Sequence, residues 1–174
     1  MNKVVLMIIP ALICGIAFIG CGSDKAENDQ NWTNNTAELY EHNKNKITIT
    51  EGIWGTLVKT EGNCFPPVRP TCKQFPVKQE IVVYEYTTWD ETIQTNTRLS
   101  FFDKVNTKLI ATTTSDREGF FQLELKPGKY SIFVKEKQIL WANSFDGFGG
   151  ISPVTVETSK ISEINLDMNY DASY

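Results

Sequence analysis

Histidine is almost absent from this sequence: His42 is the only one in 174 residues. A single imidazole cannot build a His-rich metal site, and it makes a histidine-based catalytic triad a poor expectation. An excess of basic charge is missing too. The formal net charge is −4, which offers no basic face to nucleic acid. The G-x-S-x-G elbow, the P-loop and the G-x-G-x-x-G turn do not occur. Carboxylates are plentiful, but nothing in their spacing sets two of them across a cleft. No catalytic residue, no cofactor and no metal are therefore expected, and the chain is expected not to be an enzyme. Sustained helical periodicity is also lacking. The apolar runs are rich in Thr, Val, Ile, Tyr and Phe, types that suit a pleated, half-buried surface.

The N-terminus reads as an export segment. Lys3 supplies positive charge and an apolar stretch runs from Val4 to Ile19, ending in Phe18-Ile19-Gly20-Cys21. A small residue before a cysteine at the end of such a stretch is the lipobox of a lipoprotein signal, although Phe18 stands where Leu is usual. Cys14 is a poorer candidate because Ile13 before it is too large for the cleavage pocket. The stretch is shorter than the roughly twenty apolar residues that span a bilayer. Residues 1–20 are thus expected to be a signal peptide, with Cys21 lipidated. Its acyl chains would exceed the two signals that stable attachment takes. Gly22 follows, with Asp24, Glu27 and Asp29 beyond it. The expected location is the outer membrane, lipid-anchored, facing the periplasm or the cell surface.

Residues 21–46 are rich in Asn, Asp, Lys and Glu, a composition that does little to offset the entropy of ordering. They are expected to form a flexible tether, with His42 solvated and at most one helical turn over Thr36–His42. From Ile47 the pattern becomes one of short alternating runs. Gly52–Val58, Glu80–Tyr86, Lys108–Thr114, Gly119–Leu125, Tyr130–Val134, Ile139–Ala142, Val154–Val156 and Ile161–Met168 read as strands. Pro127-Gly128 is expected to turn the chain back and complete a hairpin between the runs around Phe121 and Ile132. Short strands separated by Gly, Pro and Asp turns predict an all-β sandwich over residues 47–174.

Ser115-Asp116-Arg117-Glu118-Gly119-Phe120-Phe121, followed by Leu125-Lys126-Pro127-Gly128-Lys129-Tyr130-Ser131-Ile132, resembles the T-D-x-x-G-x-F … L-x-P-G-x-Y-x-I core of carboxypeptidase regulatory-like domains. Gly55–Val58, Pro76-Val77 with Ile81–Val83, and Ile164–Leu166 resemble that family's first, second and last strands. The resemblance covers residues 52–170. It implies a transthyretin-like, prealbumin-type Greek-key sandwich of about seven strands that binds or supports other proteins without catalysis. The whole arrangement is similar to a lipoprotein form of this domain that recurs in Bacteroidetes. Two departures stand out: an insertion from Thr60 to Gln79, and a Gly/Phe/Asp loop from Asn143 to Gly150.

Once Cys14 leaves with the signal and Cys21 is lipidated, Cys64 and Cys72 remain, an even pair expected to form a disulfide in an oxidising compartment. Asn143, Asp146 and Asp116 offer oxygens to calcium but lack the Asp-x-Asp-x-Asp spacing, so a glycine-rich turn is the plainer expectation. Trp141, Phe145 and Phe148 crowd the same region, the first two as core or as an aromatic platform for sugar or a partner protein. Trp89 is expected on an exposed loop. The candidate binding residues are therefore Trp89, Trp141, Asn143, Phe145, Asp146 and Phe148. The function expected is a protein-binding or assembly module meeting its partner through loops or an open strand edge. The alternative is a carbohydrate-binding accessory of a glycan-uptake system, with Trp141, Phe145 or Trp89 stacking on sugar.

Overall fold

The computed structural model describes residues 31–67, 71–95 and 99–174. The expected export segment, Cys21 and residues 22–30 lie outside them. One helix, α1 (Thr36–Lys44), precedes twelve strands. These are β1 (Gly52–Asn63), β2 (Lys73–Pro76), β3 (Glu80–Glu85), β4 (Thr92–Gln94), β5 (Phe101–Val105) and β6 (Leu109–Thr114). After the Asp116 turn come β7 (Phe120–Leu123), β8 (Gly128–Glu136), β9 (Ile139–Trp141), β10 (Pro153–Val156), β11 (Ile161–Glu163) and β12 (Leu166–Ser173). The count exceeds the expected seven because β1 is flanked by two shorter strands on each side and β4 and β5 extend the larger sheet.

The strands form an all-β sandwich of a five-stranded and a seven-stranded sheet. The smaller is built on β1. β11 and β12 run parallel to it in one register, Gly52 beside Ile161 and Leu57 beside Leu166. β7 and β2 pair antiparallel with β1 on the opposite side. In the larger sheet the order is β4-β5-β9-β8-β3-β6, with β10 beside the first half of β8.

Side-chain alternation distributes the apolar residues among three clusters. Ile53, Leu57 and Phe121 of the smaller sheet pack with Ile81, Val83, Ile132 and Val134 of the larger, and Trp141, Leu166 and Met168 complete this main core. Val82 and Phe133 point the other way, onto Phe102, Ala142 and Ile151. β3 and β8 read as continuous apolar runs because both of their faces are covered. A third cluster joins Val58, on the outer face of β1, to Trp32 and Leu39.

Three expectations are corrected. Pro127-Gly128 closes no hairpin: β7 pairs with β1 while β8 pairs with β3. Phe121 and Ile132 stand in opposite sheets and share one core cluster. Alternation fixes which face a residue takes and leaves its hydrogen-bonding neighbour open. Ile161–Met168 is two strands, broken where Ile164 N donates to Trp54 O.

The third correction concerns the tether. Residues 31–46 are folded onto the sandwich. Leu39 and Asn43, four apart on one face of α1, are fully buried. Asn43 Nδ2 donates to Thr56 Oγ1 at 3.0 Å and to Glu118 O at 2.9 Å. Lys46 pairs with both Asp116 and Glu118. His42 stays exposed to solvent, as expected, but sits on the folded helix and not on a free stalk: its Nε2 lies 3.0 Å from Glu118 Oε2, and its ring is 5.1 Å from that of Trp32. The polar composition concealed this because only Trp32, Leu39 and Asn43 of the segment are buried, and Asn43 gains its place by hydrogen bonding.

Candidate functional site

Asp146 organises the Asn143–Gly150 loop. Its Oδ1 accepts the Phe148 and Gly150 amides at 2.9 and 2.8 Å, and its Oδ2 accepts Tyr86 Oη at 2.9 Å and Lys129 Nζ at 3.0 Å. Burial works to raise the Asp146 carboxyl. The hydrogen bonds from Lys129, the two amides and Tyr86 outweigh it and hold the group well below the ordinary carboxylate range. Both oxygens are already engaged, which suits a structural turn. Gly150 is required there, since a Cβ would stand 2.4 Å from the Tyr86 ring. Among the described residues no group of three or more His, Cys, Asp or Glu is placed to hold a metal ion. Tyr86 and Lys129 escaped sequence reasoning because they lie 60 and 17 positions from their partner, with no motif linking them.

The aromatic candidates divide. Trp141 is 1% exposed, inside the main core, which removes it from any platform. Trp89 is not on an exposed loop. It opens a single turn of 3-10 helix, Trp89–Glu91, and packs on the outer cluster with its ring 5.6 Å from Phe102. Phe145 stacks on it at 4.6 Å. The two loops are zipped together by Trp89 N to Gly149 O and Ile151 N to Thr87 O. Phe145 remains 43% exposed and Phe148 86% exposed. Asn143 points elsewhere, donating to Asp167 O and to Asn169 Oδ1.

Cys64 and Cys72 are joined in a disulfide. On loop length alone such a bridge contributes about 2–3 kcal/mol.

The strand edges differ in how they end. The outer edge of β2 is closed by Asn34, whose N donates to Gln74 O, whose Oδ1 accepts Gln74 N and whose Nδ2 reaches Cys72 O. On β12, Asn143 takes the Asp167 carbonyl. β4 has only three residues. β6 is different: six residues, Leu-Ile-Ala-Thr-Thr-Thr, with no charge and no proline, paired on one side only with β3. Ser115 N donates to Gln79 O at 3.0 Å, which fixes the phase of the ladder. By antiparallel alternation, the Ala111 and Thr113 amides turn to β3 and the Thr112 and Thr114 amides turn outward. Thr113 Oγ1 meets Gln122 O of β7 at 3.5 Å, so Leu109–Thr112 is the more open stretch. Leu109, Thr112 and Thr114 have exposed side chains. The Lys108–Thr114 run is legible as a strand from its sequence; that it ends a sheet depends on the pairing of β3, which no local signal carries.

Comparison with known protein families, with curated proteins and with solved structures finds no match.

Proposed function

We propose that this chain is an outer-membrane lipoprotein whose non-catalytic sandwich is a protein-binding or assembly module, joining its partner by strand addition at β6. The observation that carries this reading is the contrast between edges: β2 and β12 carry asparagine caps, whereas β6 is long, uncharged and paired on one side. Such an edge offers a row of peptide groups to an incoming strand. Lys3, the apolar run and Gly20-Cys21 support the lipid anchor. The Asp116–Gly119 turn supports the resemblance to carboxypeptidase regulatory-like domains: Asp116 Oδ1 accepts the Glu118 and Phe120 amides, and Gly119 sits at φ +72°.

Thr112→Pro tests the mechanism. Proline removes an outward amide and leaves the β3 ladder its donors. In cross-linked pull-downs from membranes with the full-length chain, a partner captured by the native protein should fall by about tenfold with the variant, whose strand signal stays unchanged. Equal capture by both would overturn the reading. A second reading, carbohydrate binding, rests on Phe148 and Phe145. It requires a glycan-array signal that Phe148→Ala abolishes.

A further inference from the structure

The outer face of the smaller sheet, beyond the ground that α1 covers, holds a cavity of about 640 Å³. Thr60, Gln74 and Asp167 line it, with Asn34 on one side and the Cys64–Cys72 disulfide on another. The volume falls within the range of small-molecule sites. Its carboxylate side chain, Asp167, is held from two directions. Thr60 Oγ1 donates to Oδ1 at 2.7 Å, and Gln74 Nε2 donates to Oδ2 at 3.1 Å. Gln74 also donates to Thr60 Oγ1, so the three side chains form a closed ring of hydrogen bonds.

Both donors are neutral. Several other carboxylates of the described surface meet lysines: Asp116 and Glu118 with Lys46, Asp146 with Lys129, Asp171 with Lys59 and Glu80 with Lys135. Asp167 is buried more deeply than Glu118 and has no such partner among the described residues. Burial raises its pKa, and the bonds from Thr60 and Gln74 recover only part of the shift. Tyr40, close by, is pushed up first by its own burial and then by the charges of Asp167 and Glu163. The field of Asp167 therefore reaches its neighbours without compensation from a cation among the described residues. A half-buried carboxylate with fixed orientation and no counter-charge is an incomplete ion pair.

We propose that this cavity binds a ligand's protonated amine or guanidinium, seated against Asp167 while Thr60 and Gln74 hold the carboxylate in place. A carboxylate has about four acceptor positions, and one neutral donor at each oxygen leaves room for a cation's hydrogen bonds. Charge assistance makes those bonds the stronger ones. A free small amine and a lysine or arginine side chain share this chemistry. The site lies in the opposite sheet from β6, so its fate is independent of strand addition.

The test is a titration of the isotope-labelled full-length chain, followed at the Gln74 side-chain amide and the Thr60 backbone amide. The probes are cadaverine and the Nα-acetyl methylamides of lysine, arginine and norleucine. Saturable shifts with a cationic probe and none with norleucine are expected. Asp167→Asn should weaken binding by about tenfold or more, and Glu163→Gln, at an exposed carboxylate, should not. Binding of cadaverine without blocked lysine identifies a small amine as the natural class; the reverse identifies a side chain. Should Asp167→Asn fail to fold, the carboxyl carbon of Asp167 in the native chain decides: its pKa must fall when probe is bound. Equal binding of norleucine, no saturation, or a bound-state pKa that does not fall would overturn the proposal. So would an Asp167 titration that Arg69→Gln displaces, since the cation would then come from the disulfide loop itself.

Discussion

Asn34 and Gln74 are locked together by two reciprocal hydrogen bonds, Asn34 N to Gln74 O and Gln74 N to Asn34 Oδ1, both 2.8 Å. They lie 40 positions apart, and the pair imitates one rung of a sheet where the sheet has no further strand. The segment that had the composition of a tether thus blunts an edge that would otherwise be open. Asn34→Ala keeps the backbone half of the rung and removes the side-chain half. The expected cost is about 1 kcal/mol, read by urea denaturation, together with faster hydrogen exchange at the Gln74 amide. Unchanged exchange at Gln74 would show that the side chain protects nothing.

Leu39 decides whether α1 belongs to the domain. It is fully buried against Val58 and Trp32. Leu39→Ala should cost about 2–5 kcal/mol, the loss expected when a large apolar side chain leaves a packed site. A change within about 0.5 kcal/mol, as for an ordinary surface substitution, would return residues 36–44 to the status of a stalk.

These two residues also show where the sequence is legible. The clustering of Thr, Val, Ile and aromatic residues into alternating runs locates β1, β3, β6, β7 and β8 to within a few residues, because period-two burial is written locally. Pairing is not local. β7 and β8 flank a plausible turn yet join different sheets, since the turn chemistry of Pro127-Gly128 serves equally well to cross between layers. β5 (Phe101–Val105) is not among the runs legible as strands, although Phe101 and Phe102 are both buried, in different clusters. Of the candidate site, the disulfide was readable from cysteine parity. The open edge and the Asp167 cavity were not, because each is made by residues tens of positions apart whose types are ordinary.

Trp141 offers a clean separation of core from platform. Its side chain is buried, and Nε1 finds no hydrogen-bond partner among the described residues. Trp141→Ala should cost about 3–5 kcal/mol. Trp141→Phe keeps most of the apolar bulk and removes a buried donor that is unsatisfied, so it should cost much less than the alanine change. The thermal midpoints of the two variants check this. If the phenylalanine variant were as unstable as the alanine one, the indole N–H would have a partner that the structure does not reveal.

Glu118 makes the docking of α1 sensitive to acid. Burial works to raise its carboxyl, and the bonds from Lys46, His42 and Trp32 outweigh burial and bring it below its ordinary value. A carboxyl lowered in the fold binds fewer protons folded than unfolded, so it contributes stability above its unfolded value of about 4.3. That contribution drains away as pH falls through the lowered value. Lys46 is opposite in sign. Burial lowers it, and its bonds to Asp116 and Glu118 more than restore it, so its share is present below its unfolded value of about 10.4 and is lost only as pH rises beyond that. On the acid side, then, the carboxylate governs. The Trp32 indole N–H, which reaches Glu118 Oε1 at 3.4 Å, should move on acidification below about pH 4. Glu118→Gln should remove that movement and flatten the acid limb of the stability curve. Identical acid limbs in the native chain and the variant would mean that α1 is held by Leu39 and Asn43 alone, with the Glu118 cluster contributing nothing to its docking.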